Sequence, residues 1–146
     1  MTTDSSKPEG APDRGTPETF RARAVSISLT VKDVHASLAW YEGVMGFTVD
    51  TKREHEGQLR SVSLKAGEVR LLINQDNGAK GWDRIKGQGF SMMFTTVQSI
   101  DELAAGIRAR GGALATEPAD MPWGPRAFRM VDPDGYHFTI ASEWQR

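Results

Sequence analysis

No cysteine occurs among the 146 residues. Disulfide frameworks, zinc knuckles, iron–sulfur clusters and thiol nucleophiles are therefore excluded. A surplus of positive charge is also missing, because 18 Lys and Arg stand against 19 Asp and Glu for a formal charge of −1. A protein that coats phosphate backbones needs excess cations to displace counterions, so no nucleic-acid partner is expected. The apolar runs fall far short of a membrane span, and the first residues lack the apolar stretch of a secretory signal. No membrane partner is expected, and a cytoplasmic domain is the reading. Only three histidines are present, His35, His55 and His137. None forms an H-x-x-x-H pair, so no helical metal motif arises. Walker loops and dinucleotide glycine fingerprints are absent, and Gly89-Phe-Ser-Met-Met93 lacks the second glycine of a nucleophile elbow.

What is present fits one domain with its own core. Residues 1–19 carry Pro8, Pro12 and Pro17 and almost no large apolar side chain. Such a segment cannot offset its ordering entropy by burial, so a disordered tail over 1–23 is expected. From Val25 the chain alternates, with Ile27, Leu29 and Val31 against Ser26, Ser28 and Thr30, the period of a strand with two unlike faces. Asp33 sits at a helix N-cap, and Val34, Leu38, Tyr41 and Met45 make one helical stripe that Gly46 ends. Strands are expected from Phe47 to Val49, Leu59 to Leu64 and Val69 to Ile73, with the charged run Lys52–Glu56 as a hairpin loop.

The same order then recurs. Phe90 to Val97 is β-prone, Ser99 and Glu102 have capping-box spacing, and Leu103 and Ile107 lie one helical turn apart before Gly111-Gly112. Strands are expected at Ala113–Thr116, Ala127–Val131 and Tyr136–Ala141, with Asp132-Pro-Asp-Gly135 turning between the last two. Strand, helix and three strands, twice over, describes an α+β chain in which each helix covers one face of a four-stranded sheet. Gly78-Ala-Lys80-Gly-Trp82-Asp-Arg84-Ile-Lys86-Gly reads as the linker between modules, within reach of a partner subunit.

Val31-Lys-Asp33, Trp40-Tyr41-Glu-Gly-Val44-Met45-Gly46-Phe47 and Asp132-Pro-Asp-Gly135, in this order and spacing, resemble the vicinal oxygen chelate superfamily. That superfamily includes glyoxalase I, extradiol dioxygenases, and bleomycin and fosfomycin resistance proteins. The resemblance implies a domain over 24–143, built of two βαβββ modules (about 24–75 and 89–143) that form a glyoxalase/bleomycin-resistance-like fold with an open cleft. It also implies a homodimer, as open sheets and edge strands favour partners. In metal-dependent members, His and Glu side chains from the strands hold a divalent cation. Counting from the anchors puts the corresponding positions at Ser26, Met92, Thr139 and Leu71. Hydroxyls are weak neutral donors, leucine offers none, and a thioether suits soft ions, so neither a metal site nor a cofactor is expected.

By alternation the cleft-facing set is Ser26, Ser28, Thr30, Leu71, Ile73, Met92, Phe94, Thr96, His137 and Thr139. Trp123 can stack on a planar ligand from a loop above the cleft, and Arg126 can pair with an anionic group. Small hydroxyls among Met, Phe and Leu suit an apolar organic molecule fixed by a few hydrogen bonds. The same residues can also simply pack one sheet on the other. His137 is the one catalytic candidate; a rim histidine reads the same way in sequence. The expected function is metal-free binding of a hydrophobic or aromatic small molecule, as in resistance by sequestration. The alternative is a lyase, isomerase or dioxygenase of the same superfamily, either cofactor-independent through His137 or binding metal through displaced ligands.

Overall fold

In the computed structural model, residues 20 and 22–143 are described; most of the tail expected over 1–23 lies outside them. The chain folds as two four-stranded mixed sheets, each with a helix on one face, and neither closes into a barrel. The first sheet contains β1 (Ser26–Val31), β2 (Thr48–His55), β3 (Gln58–Ala66) and β4 (Val69–Gln75), ordered β1-β4-β3-β2. The second contains β5 (Ser91–Thr96), β6 (Ala119–Asp120), β7 (Arg126–Val131) and β8 (His137–Ser142), ordered β5-β8-β7-β6. β1 pairs with β4, and β5 with β8, in parallel; the remaining pairs are antiparallel.

The helices begin where short polar side chains satisfy free backbone donors. Asp33 accepts the N–H groups of His35 and Ala36 to open α1 (Val34–Leu38), and Ser99 accepts that of Glu102 at the head of α2 (Ile100–Ala109). α1 does not continue as the single α-helical stripe expected through Met45. Ala39–Met45 widens into a π-helix, closed by Gly46 at φ +88°. The wider turn brings Trp40 and Tyr41 inward together, their rings 4.8 Å apart and edge to face. Trp40 then meets Phe138 of β8 at 5.9 Å, so the end of the first module's helix packs on the second module's sheet.

Two further expected elements differ. Lys52 to His55 belongs to β2, and the reversal falls at Glu56-Gly57, where both residues have positive φ. Ala113–Thr116 is not a strand: it runs beside β7 through hydrogen bonds to the Arg129 carbonyl, and the ladder to β7 forms at Ala119–Asp120 instead.

The modules are clasped by the β7–β8 turn. The Asp132 carboxylate accepts from Tyr41 Oη at 2.7 Å and from the N–H groups of Asp134 and Tyr136. Tyr136 Oη donates to the Thr30 carbonyl, and Lys32 N–H donates to Asp134, both at 2.8 Å. The linker packs on this turn. Its Lys86 is turned inward, 1% exposed, and ion-paired with Asp76 at 2.8 Å, rather than presented to a partner with the other cations. The Lys86 ammonium and the Gly78 N–H hold the Asp76 carboxyl below the usual carboxylate range.

Candidate functional site

Side chains of Cα partners on neighbouring strands share a face. In the first sheet, Ile27, Leu29 and Val31 partner Leu71, Ile73 and Gln75, and this face lies under α1. The opposite, open face carries Ser26, Ser28 and Thr30 beside Arg70, Leu72 and Asn74. Asn74 Nδ2 donates to Ser28 Oγ at 2.6 Å, and Arg70 pairs with Asp50 at 2.6 Å.

In the second sheet, Met92, Phe94 and Thr96 partner Phe138, Ile140 and Ser142 on the covered face. The open face is a grid of three rows across β7, β8 and β5. Val131, His137 and Ser91 form the first, Arg129, Thr139 and Met93 the second, and Ala127, Ala141 and Thr95 the third, where the two alanines are buried.

Of the residues expected to line a pocket, Ser26, Ser28 and Thr30 of the first sheet and His137 and Thr139 of the second thus stand on open faces. Six do not, and of these Ile73 and Thr96 share the covered faces. Leu71 is fully buried beneath α1 as the partner of Ile27. Met92 and Phe94 lie in the core, Phe94 against the rings of Phe47 and Phe138. The error in β5 has a simple cause: one residue, Lys32, separates β1 from its helix cap, whereas Val97 and Gln98 separate β5 from Ser99. A count back from the cap therefore lands on the wrong face. Arg126 is the last of them, partnered with Asp120 beside β6 and held by Asp101 at the start of α2 through contacts of 2.7 and 2.8 Å. That guanidinium is engaged within the chain, and the pairing lowers the Asp101 pKa. Trp123 is partly exposed near the tip of the β6–β7 hairpin, which closes between Met121 and Pro125.

His137 is exposed, and among the described residues no acidic side chain hydrogen-bonds to it. The open faces offer mainly Ser and Thr hydroxyls, the Asn74 amide and one imidazole. The Asp50 carboxylate beside them is taken by Arg70. A divalent cation needs several imidazoles or carboxylates in fixed geometry. Among the described residues no three His, Cys, Asp or Glu side chains come together to supply them. The donor set does not fit the metal of the glyoxalases and dioxygenases. No described helix is long and apolar enough to cross a membrane.

A groove of about 660 Å³ opens on the helix side of the first sheet, between α1, the β2–β3 hairpin and Trp82. Lys52, Glu54, Gln58, Arg60 and Asp76 dominate its walls, a mixed-charge lining that water serves well. Arg129, Asn74, Leu72 and Met93 also stand on the open faces, beyond the residues expected from sequence. Alternation in Arg126–Val131, with Phe128 and Met130 inward, already placed Arg129 outward.

A family model described as the Glyoxalase/Bleomycin resistance protein/Dioxygenase superfamily matches residues 23–140. Lactoylglutathione lyase GLX1 of Arabidopsis thaliana is 23% identical over 130 residues, which are 85% of this chain and 45% of the plant protein. The chain thus spans about half the length of that relative. Among solved structures, a member of the same superfamily from Sphaerobacter thermophilus is 24% identical with a TM-score of 0.67, covering 84% of this chain and 98% of that one. TioX from Micromonospora sp. ML1 is 19% identical with a TM-score of 0.67, covering 83% and 98%. At these identities the likeness is one of fold.

Proposed function

Since the chain belongs to the Glyoxalase/Bleomycin resistance protein/Dioxygenase superfamily, we propose that it binds a hydrophobic or aromatic small molecule on its open sheet faces without a metal. One observation carries this reading: the open faces combine hydroxyl, amide and apolar side chains with Arg70, Arg129 and the His137 imidazole. Such a surface fixes an organic molecule by contact area and a few hydrogen bonds, while it cannot clasp a cation. Sequestration of a toxic compound in the cytoplasm is the concrete form of the proposal. Two copies would bring open faces together, so the working unit is a homodimer, an assignment that a monomeric mass by light scattering would remove. The enzyme reading rests on His137, which projects from an open face beside Ser91 and Val131 but lacks an acidic orienting partner among the described residues.

Mass spectrometry of the organic extract of purified protein tests the proposal. We expect an aromatic compound recovered in proportion to protein, and retained by His137→Ala. Turnover of that compound, lost in His137→Ala while binding persists, would establish catalysis instead.

A further inference from the structure

Arg129 lies in the middle row of the second sheet's open face, beside Thr139 and on the β7 side of it, with Met93 beyond. It is the only Lys, Arg, Asp or Glu among the nine residues of that grid. The other arginines of this module are engaged: Arg126 by Asp101 and Asp120, Arg108 by Glu117, and Arg110 by the Val44 carbonyl. Among the described residues the Arg129 guanidinium has no such partner, and it is solvent-exposed. Its backbone, by contrast, is fixed on both sides. β8 pairs along one edge, while on the other the Arg129 N–H donates to Thr116 Oγ1 and its carbonyl accepts from Ala115. A cation carried on an anchored stretch of strand therefore stands beside exposed apolar surface, with Met93 56% and Val131 38% exposed, and Thr139 is its cross-strand partner.

We propose that Arg129 is the anion-recognising residue of the site, so that the ligand is an aromatic molecule carrying one carboxylate-like oxyanion. The proposal rests on the small-molecule reading above. A guanidinium presents a rigid fork that matches two oxygens of such a group. Met93 and Val131 supply the apolar contact for the remainder of the molecule, and Thr139 adds a hydrogen-bond donor. Arg126, the residue that sequence alone favours for this role, is excluded by its own ion pairs.

The probes are 1-anilinonaphthalene-8-sulfonate and its uncharged parent, N-phenyl-1-naphthylamine, titrated by fluorescence into the full chain. The wild type should bind the sulfonate more tightly, and added NaCl should weaken the sulfonate alone. Arg129→Gln should reduce sulfonate affinity about tenfold while leaving the neutral probe unchanged, because a charge-assisted pair is lost without loss of apolar contact. Arg129→Lys should fall between, and Arg126→Gln should leave the preference intact. Equal affinities for the two probes in wild type, or a sulfonate affinity unmoved in Arg129→Gln, overturn the role of Arg129. Failure of both probes to bind overturns the small-molecule reading itself. The salt comparison needs no variant, so a poorly folded substitution does not decide the result.

Discussion

Asp132→Ala is expected to lower stability by about 3–5 kcal/mol, because it strands a buried phenol and two turn N–H groups at once. Tyr41 is fully buried and its hydroxyl donates to Asp132, while the other carboxylate oxygen takes Asp134 and Tyr136 N–H at 2.9 and 2.8 Å. Burial and the adjoining carboxylate push the Tyr41 phenol far above its ordinary pKa, so it keeps the proton that it donates to Asp132. For a chain of this size the loss corresponds to a fall in melting temperature of roughly 10–15 °C.

Asp132→Asn separates hydrogen bonding from charge. Its amide oxygen can still accept the two N–H groups, and its NH₂ can donate to a reoriented Tyr41 hydroxyl. Burial raises the Asp132 pKa despite the three donors. The folded state therefore holds the Asp132 proton more tightly than the unfolded chain. Stability from this group is complete below the unfolded pKa and fades as pH rises through the folded one. Relative to wild type, Asp132→Asn should thus fare better at pH 7 than at pH 4. Thermal melts of the three proteins at both pH values check this; an alanine variant as stable as wild type would show that the clasp contributes little.

Gly87→Ala is the second large effect. Gly87 has φ +80°, and a Cβ there would stand 2.6 Å from the Gly135 carbonyl oxygen and 3.0 Å from Tyr136 Cα. The neighbours are backbone atoms of the clasp turn, so no side chain can swing aside. The left-handed conformation alone costs an L-residue about 1–2 kcal/mol, and the overlap should bring the total to about 2–4 kcal/mol. Gly57→Ala is the matched control, with φ +75° and nothing within 4 Å of the added methyl group. It should show the conformational cost alone. Equal losses in the two variants, measured by denaturant unfolding, would mean that the linker does not press on the turn.

Much of the fold was legible because local chemistry and long-range order agree in this chain. Asp33 and Ser99 cap their helices as their spacing predicts, Gly46 and Gly135 take the positive φ their positions require, and the alternation of β1 sorts its faces correctly. The candidate site was less legible, since which face a strand residue takes depends on a single unit of register. An extra residue between β5 and α2 was enough to turn Met92 and Phe94 into the core and bring Met93 out. Leu71 was assigned by position in the module, and only pairing with Ile27 reveals that it faces α1. Arg126 and Arg129 look alike in sequence. What separates them is Asp101, a quarter of a hundred residues away along the chain and 2.7 Å away in space. The π-helix has no sequence signature here beyond the glycine that ends it.

Metal analysis of the purified protein, combined with binding of 1-anilinonaphthalene-8-sulfonate before and after chelation, separates a metal-free pocket from a metal site. Metal well below one ion per chain is expected, with an affinity that chelation leaves unchanged. One nickel, zinc, iron or manganese ion per chain, with binding lost on its removal and restored on its return, would contradict the metal-free reading.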